Sequence, residues 1–164
     1  MTTKKICVLG VLTALYVVLT SFLKFTIFGN IMVDLGYIAF AFALCMFGPW
    51  GTIVGVLGCA LESLLFSVYG FSISWVAANL TIGLICGFTF PSIKANWVKY
   101  AVAIVAVAIG MLVVKTAIEC PLYGIPLAVK LPKNAVAFGV DAAVMILGIV
   151  FYQLTYKRIG AKHA

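Results

Sequence analysis

The sequence predicts an all-α integral membrane protein, one domain over residues 1–164 with six transmembrane helices and a ligand pocket in its outer half. Hydrophobic residues make up 65% of the chain and charged ones only 9%, where a soluble domain is closer to half apolar and a quarter charged. Mean hydropathy is +1.24. The apolar runs are interrupted only by short glycine-, proline- or asparagine-containing breaks. A spanning helix needs roughly 20 residues, so the chain holds about six spans and leaves no room for a soluble catalytic domain.

Each element has a local cause. Helix 1 is expected over about 5–23. Its Lys4-Lys5 start resembles a signal peptide, but the apolar run is too long for one and lacks a small-x-small cleavage site, which makes it a retained helix. Helix 2, about 35–47, is short, with room to extend back to Asn30. Gly48-Pro49 ends it, because proline has no N–H for the helical ladder and restricts the residue before it. Helix 3 covers about 51–68 and helix 4 about 73–90, with Tyr69-Gly70 between them. Pro91 to Asn96 separates helix 4 from helix 5, about 97–119. Pro121, Pro126 and Pro132 predict an irregular segment over 120–133 before helix 6 at about 134–156.

Basic residues set the expected orientation. With the N-terminus inside, Lys4, Lys5, Lys94, Lys99, Lys157, Arg158 and Lys162 lie on the inner side, and Lys24, Lys115, Lys130 and Lys133 in the outer half. That bias favours both termini in the cytoplasm. It also accounts for the net charge of +7 as span-flanking residues, without nucleic acid as a partner. The cysteines, Cys7, Cys45, Cys59, Cys86 and Cys120, have no CxxC spacing and read as small core residues.

The acidic residues Asp34, Glu62, Glu119 and Asp141 all fall in the outer half of this topology. Ionisable groups at membrane depth are costly and mark functional sites by default. On helix 3, Gly51, Gly55, Gly58 and Glu62 recur at helical spacing, and on helix 4 so do Trp75, Asn79, Gly83 and Gly87. The glycines predict close helix packing, and the polar ends above them predict a cup open to the outside. Lys115 and Glu119 on helix 5, Asn134, Phe138 and Asp141 on helix 6, and Lys24, Asn30 and Asp34 before helix 2 point to the same level. Structural alternatives exist: a Lys115–Glu119 pair, a Lys115–Asp141 pair, a protonated Glu62, and Asn79 as interhelical glue. Tyr37, Tyr69, Phe71 and Trp75 would form either an interfacial belt or the walls of a site for a flat ligand. The candidate binding set is therefore Asn30, Asp34, Tyr37, Glu62, Trp75, Asn79, Lys115, Glu119, Phe138 and Asp141.

Enzymatic motifs are missing from the sequence. GMLVVKT at 110–116 has Val114 where a phosphate loop needs its second glycine, no HExxH or nucleophile elbow occurs, and the single histidine, His163, cannot build a zinc site. No cofactor is indicated.

The order of these segments resembles the substrate-binding S components of energy-coupling factor (ECF) vitamin transporters. The resemblance rests on GVLTALYVVLT at 10–20, VDLGYIAFAFALCMFGPWGTIVGVLG at 33–58, ALESLLF at 60–66 and GFSISWVAANLTIGLICGF at 70–88. Its most specific part is FGPWGTIVG at 47–55, similar to the FGPxxGxxxG turn of that family. The resemblance implies a prokaryotic, multi-pass protein of the cell membrane that captures a vitamin or vitamin precursor, with the ligand beneath loops 24–34, 67–73 and 120–133. It also implies partners: a transmembrane scaffold subunit and two ATPase subunits, besides membrane lipid. A family AxxxA docking motif on helix 1 maps onto Gly10 and Ala14, where the sequence has GxxxA followed by Val18. The mixed charges and aromatics suit a flat, nitrogen-containing ligand. Two other classes remain open at this point: a self-sufficient proton-coupled carrier using Glu62 or Asp141, and a membrane enzyme built on dispersed carboxylates.

Overall fold

The computed structural model describes residues 2–22, 25–27, 31–66 and 70–160. Helix α1 (Thr3–Phe22) leads into a small antiparallel hairpin, β1 (Phe25–Ile27) paired with β2 (Ile31–Val33). Helix α2 (Gly36–Phe47) reaches the turn Gly48–Gly51, and α3 (Thr52–Leu65) follows. Helix α4 (Ile73–Thr89) precedes a continuous helical stretch made of α5 (Asn96–Ala108), a π-helical segment (Ile109–Lys115) and α6 (Thr116–Tyr123). Helix α7 (Leu127–Gly160) completes the bundle.

Five helical stretches among the described residues are long and apolar enough to cross a membrane: Thr3–Phe22, Gly36–Leu65, Ile73–Ser92, Asn96–Tyr123 and Leu127–Thr155. In hydrocarbon a backbone must satisfy its own hydrogen bonds, which favours helices over open loops. The stretch Gly36–Leu65 doubles back. Gly48 takes φ +58, a conformation open to glycine, and Pro49 follows where a helix-start proline is tolerated.

Glycines set how closely the helices approach. A Cβ on Gly51 would stand 2.6 Å from the Ala43 backbone, and one on Gly55 2.5 Å from the Phe40 ring, so α3 lies antiparallel on α2. A Cβ on Gly58 would stand 2.5 Å from the Tyr16 ring of α1. Gly83 of α4 packs on Thr52, Gly87 on Pro49, Gly110 on Ile82, and Gly148 of α7 on Ile38. The glycine faces expected from spacing on helices 3 and 4 are thus packing faces. They close the bundle toward its Gly48 end, around Phe40, Leu44, Val54, Ile82 and Cys86, all buried.

The structure corrects three expectations. The segment 120–133 is mostly helical, because Pro121 lies within α6 and Pro132 within α7. Each proline frees one carbonyl, of Ala117 and Ala128, and both of those residues are exposed, so the lost bonds are not sealed in the core. The break is Gly124–Pro126: Gly124 adopts the left-handed φ of 62 that ends α6, and the Pro126 carbonyl accepts from the Val129 and Lys130 N–H groups to start α7. The stretch 24–34, expected as a loop, contains the β1–β2 hairpin. Cys7 is exposed on the outward face of α1, whereas Cys59 and Cys86 fill the core; a thiol is apolar enough for either setting.

Gly55→Leu and Gly58→Leu should each lower stability by about 1–3 kcal/mol or more through overpacking, read as earlier thermal unfolding in detergent. Gly139→Ala, where a Cβ meets nothing within 4 Å, should leave the transition unchanged.

Candidate functional site

The half of the bundle that holds the hairpin gathers polar side chains from α1, α2, α3, α4, the π segment, α6 and α7. Its best-defined member is Asp34, between β2 and α2. Tyr16 donates its hydroxyl to Asp34 Oδ2 at 2.8 Å, Thr20 donates to Oδ1 at 2.6 Å, and the Gly36 N–H donates to Oδ1 at 2.9 Å. One carboxylate therefore starts α2 and fastens it to α1. Burial raises the Asp34 carboxyl above the usual carboxylate range, and the bonds from Thr20, Tyr16 and Gly36 oppose that rise. Glu62, half-buried on α3, is a further charged neighbour.

A second group forms around Glu119. Ser74 donates to Oε1 at 3.2 Å, Asn134 donates to Oε2 at 3.4 Å, and Lys130 lies 3.1 Å from Oε2. Asn134 also donates to Thr116 Oγ1 at 2.9 Å. These contacts join α4, α6 and α7. Lys115, buried at the end of the π segment, does not pair with Glu119 four residues on. Its ammonium sits 3.5 Å from the centroid of the Trp75 ring, a cation–π contact worth about 2 kcal/mol when desolvated. The alternative Lys115–Asp141 ion pair does not form either: neither Asp141 oxygen has a side-chain partner among the described residues.

Between the two groups lie polar atoms that the bundle leaves unsatisfied. Tyr37 and Asp141 are fully buried, and the Tyr37 hydroxyl has no partner among the described residues; the Asp34 backbone N–H faces the Asp141 carboxylate, but neither Asp141 oxygen makes a hydrogen bond of good geometry there. Asn79 is also fully buried. Its Nδ2 donates to the Trp75 carbonyl at 3.2 Å, and its Oδ1 has no such partner. Asp141 has Asp34 and Lys115 as charged neighbours, and Tyr37 has Asp141 and Asp34. A buried acceptor left unmade costs about 1–3 kcal/mol, more for a charge. Ser21, Thr52 and Gln153 carry other atoms without a partner among the described residues; the Tyr37–Asn79–Asp141 set is the one that lies beside Asp34 and Lys115.

The predicted residues sort as follows. Asp34, Tyr37, Glu62, Trp75, Asn79, Lys115, Glu119 and Asp141 come together in one half of the bundle, and Phe138 is half-buried against the adjoining core. Asn30, Lys24 and Tyr69 lie outside the described residues. Phe71 is exposed. Gly10 and Ala14 are exposed on α1 and line, with Leu57 and Leu61 of α3, an apolar groove of about 490 Å³. Sequence reasoning missed Tyr16, Thr20, Ser74, Thr116 and Lys130. Tyr16 and Thr20 had a signal: with Thr13 they put hydroxyls at steps of three and four along one face of a largely apolar helix.

A sequence model described as "ECF-type riboflavin transporter, S component" matches residues 1–157. Two solved structures have a similar fold. One is described as the crystal structure of FolT bound with folic acid; it superposes with a TM-score of 0.72 at 22% identity, over 90% of this chain and 94% of that one. The other is the S component for biotin from an ECF-type ABC transporter, with a TM-score of 0.71 at 19% identity, over 96% of this chain and 95% of that one.

Tyr16→Phe should cost about 1.5–3 kcal/mol, the usual worth of a hydrogen bond to a charged group, and Asp34→Ala more. In a double-mutant cycle read by thermal unfolding the two losses should be clearly non-additive; additive losses would mean the bond contributes nothing.

Proposed function

The chain belongs to the family of ECF-type riboflavin transporter S components, and from that premise we propose that it captures riboflavin, or a closely similar flat nitrogen heterocycle, for an ATP-driven importer. It is a multi-pass protein of the cell membrane. In this reading the whole chain, 1–164, is one binding unit. Helices α2 and α3 count as two crossings on either side of the Gly48–Gly51 turn, which gives six, and the basic residues favour both termini inside. The hairpin end then faces outward.

The observation that carries the reading is the set of buried, unpartnered polar atoms on Tyr37, Asn79 and Asp141, held beside Lys115 and Trp75. A heterocycle with an imide edge complements them. Its N–H would donate to Asn79 Oδ1 or an Asp141 oxygen, its carbonyls would accept from the Tyr37 hydroxyl or the Lys115 ammonium, and Trp75 offers an aromatic face for stacking. Glu62, Glu119 and Phe138 would border the ligand, and the segment 24–34 with Asn30 would cover it. Asp34 belongs to the site chiefly by positioning α2. The folate- and biotin-binding relatives support a small-molecule site of this general kind.

Energy must come from partners: a transmembrane scaffold subunit and two ATPase subunits. The exposed small residues Gly10 and Ala14 suit close approach of a partner helix, about 120° around α1 from Tyr16 and Thr20.

Riboflavin binding, followed by quenching of its fluorescence on titration with purified protein, should weaken at least tenfold in Asn79→Ala and in Asp141→Asn, since loss of a buried charged partner costs about 2–5 kcal/mol. Unchanged affinity in both variants would place the pocket elsewhere. Gly10→Trp and Ala14→Trp should leave binding near normal and abolish ATP-dependent uptake by the assembled complex. Uptake by the chain alone that collapses with the proton gradient would instead establish a secondary carrier.

A further inference from the structure

The Gly48 end of the bundle carries a groove unrelated to the polar cluster. It measures about 420 Å³ and is lined by Lys5, Cys45, Phe47, Gly48, Trp50 and Pro91. At about 30 Å³ per water this is room for on the order of a dozen waters, far more than one ion needs. We propose that the groove binds the phosphodiester headgroup of an anionic membrane lipid.

Charge is the first reason. Lys5 lines the groove, and Lys99 of α5 is the charged group acting on Cys45 in its wall. Lys4 and Lys94 are exposed at the same end. All four acidic side chains of the chain, Asp34, Glu62, Glu119 and Asp141, belong to the opposite half. Among the described residues the lysines of the Gly48 end therefore have no carboxylate counter-charge. Position is the second reason. Lys5 starts the first span, Trp50 sits in the turn between α2 and α3, and Lys94 and Lys99 flank the start of the Asn96–Tyr123 span. Basic residues at span ends meet the headgroup layer, where anionic lipids concentrate them. The rim is the third. Trp50 is 57% exposed and Met46 46%; Trp97, at the start of α5 and not in the groove, is 73% exposed, and aromatic side chains at span ends anchor at that level. One lysine in the wall, further lysines at the same end and exposed apolar side chains beside them fit a headgroup with its acyl chains attached better than a free anion.

The test uses brominated lipids as quenchers. The chain has three tryptophans, so Trp75→Phe with Trp97→Phe leaves Trp50 as reporter. In phosphatidylcholine vesicles, brominated phosphatidylglycerol should quench Trp50 at lower mole fraction than brominated phosphatidylcholine does. Lys5→Gln and Lys99→Gln should each weaken that preference about fivefold, the usual worth of one lysine near an anionic surface, and Lys133→Gln at the other end should not. Equal quenching by the two lipids, or lysine variants that behave as the parent, would overturn the proposal. Displacement by inorganic phosphate would overturn it too, because the site would then bind a soluble anion. Should the reporter background fail to fold, native mass spectrometry of the unmodified chain from mixed micelles decides. Selective retention of phosphatidylglycerol supports the site, and equal retention of both lipids overturns it.

Discussion

The distance at which α3 passes its neighbours governs the rest of this bundle. Lipid tails are as apolar as leucine, so helices in a bilayer gain little from hiding apolar surface and must be held by packing and polar contacts. Gly51, Gly55 and Gly58 let α3 settle onto the Ala43 backbone, the Phe40 ring and the Tyr16 ring. That approach brings Tyr16 beside α2, where its hydroxyl reaches Asp34. It also sets α3 against α4, through Thr52 and Gly83, so that Asn79 is sealed inside. Tight packing at one end and polar assembly at the other are consequences of one set of glycines.

Polar assembly follows a division of labour. Asp34 and Glu119 are carboxylates whose oxygens are taken up by hydroxyls, an amide, a backbone N–H or a lysine. They tie helices together and resemble the satisfied buried charges of any well-packed interior. In the same neighbourhood Asp141, the Tyr37 hydroxyl and the Asn79 carbonyl oxygen find no hydrogen-bond partner among the described residues. A bundle that can satisfy two carboxylates could have satisfied a third. Retaining these groups beside an ammonium seated on an indole makes chemical sense as a surface for a polar, planar molecule.

Much of this was legible in the sequence, because membrane helices advertise themselves by length and their packing faces by spacing. The steps between Gly51, Gly55 and Gly58, and between Asn79, Gly83 and Gly87, marked faces that the structure uses for contact. The acidic residues could be assigned to one half of the bundle by counting spans. Prolines misled, since Pro121 and Pro132 sit in helices whose freed carbonyls belong to exposed residues, where a missing hydrogen bond is affordable. Side-chain pairing was also illegible. Helical spacing places Glu119 four residues after Lys115, yet it cannot say that Trp75 offers the ammonium a better partner. The role of α1 was half visible: its small residues Gly10 and Ala14 stood out as a docking candidate, while Tyr16 and Thr20 on its inner face went unweighed.

The π segment Ile109–Lys115 carries a consequence for how this chain can vary. A π turn inserts one residue into an α-helix without lengthening the loops at either end. One residue is worth about 100° of rotation at 3.6 residues per turn. Lys115, Thr116 and Glu119, which all lie at or beyond the segment, therefore owe their bearing to that inserted residue. Deleting a single residue there would restore ordinary helix and leave every side chain chemically intact. It would also swing all three away from Trp75, Ser74 and Asn134 together. Along this stretch the spacing of the chain constrains the site more tightly than the identity of any one apolar residue, and variation by insertion or deletion is closed to it where variation by substitution is open.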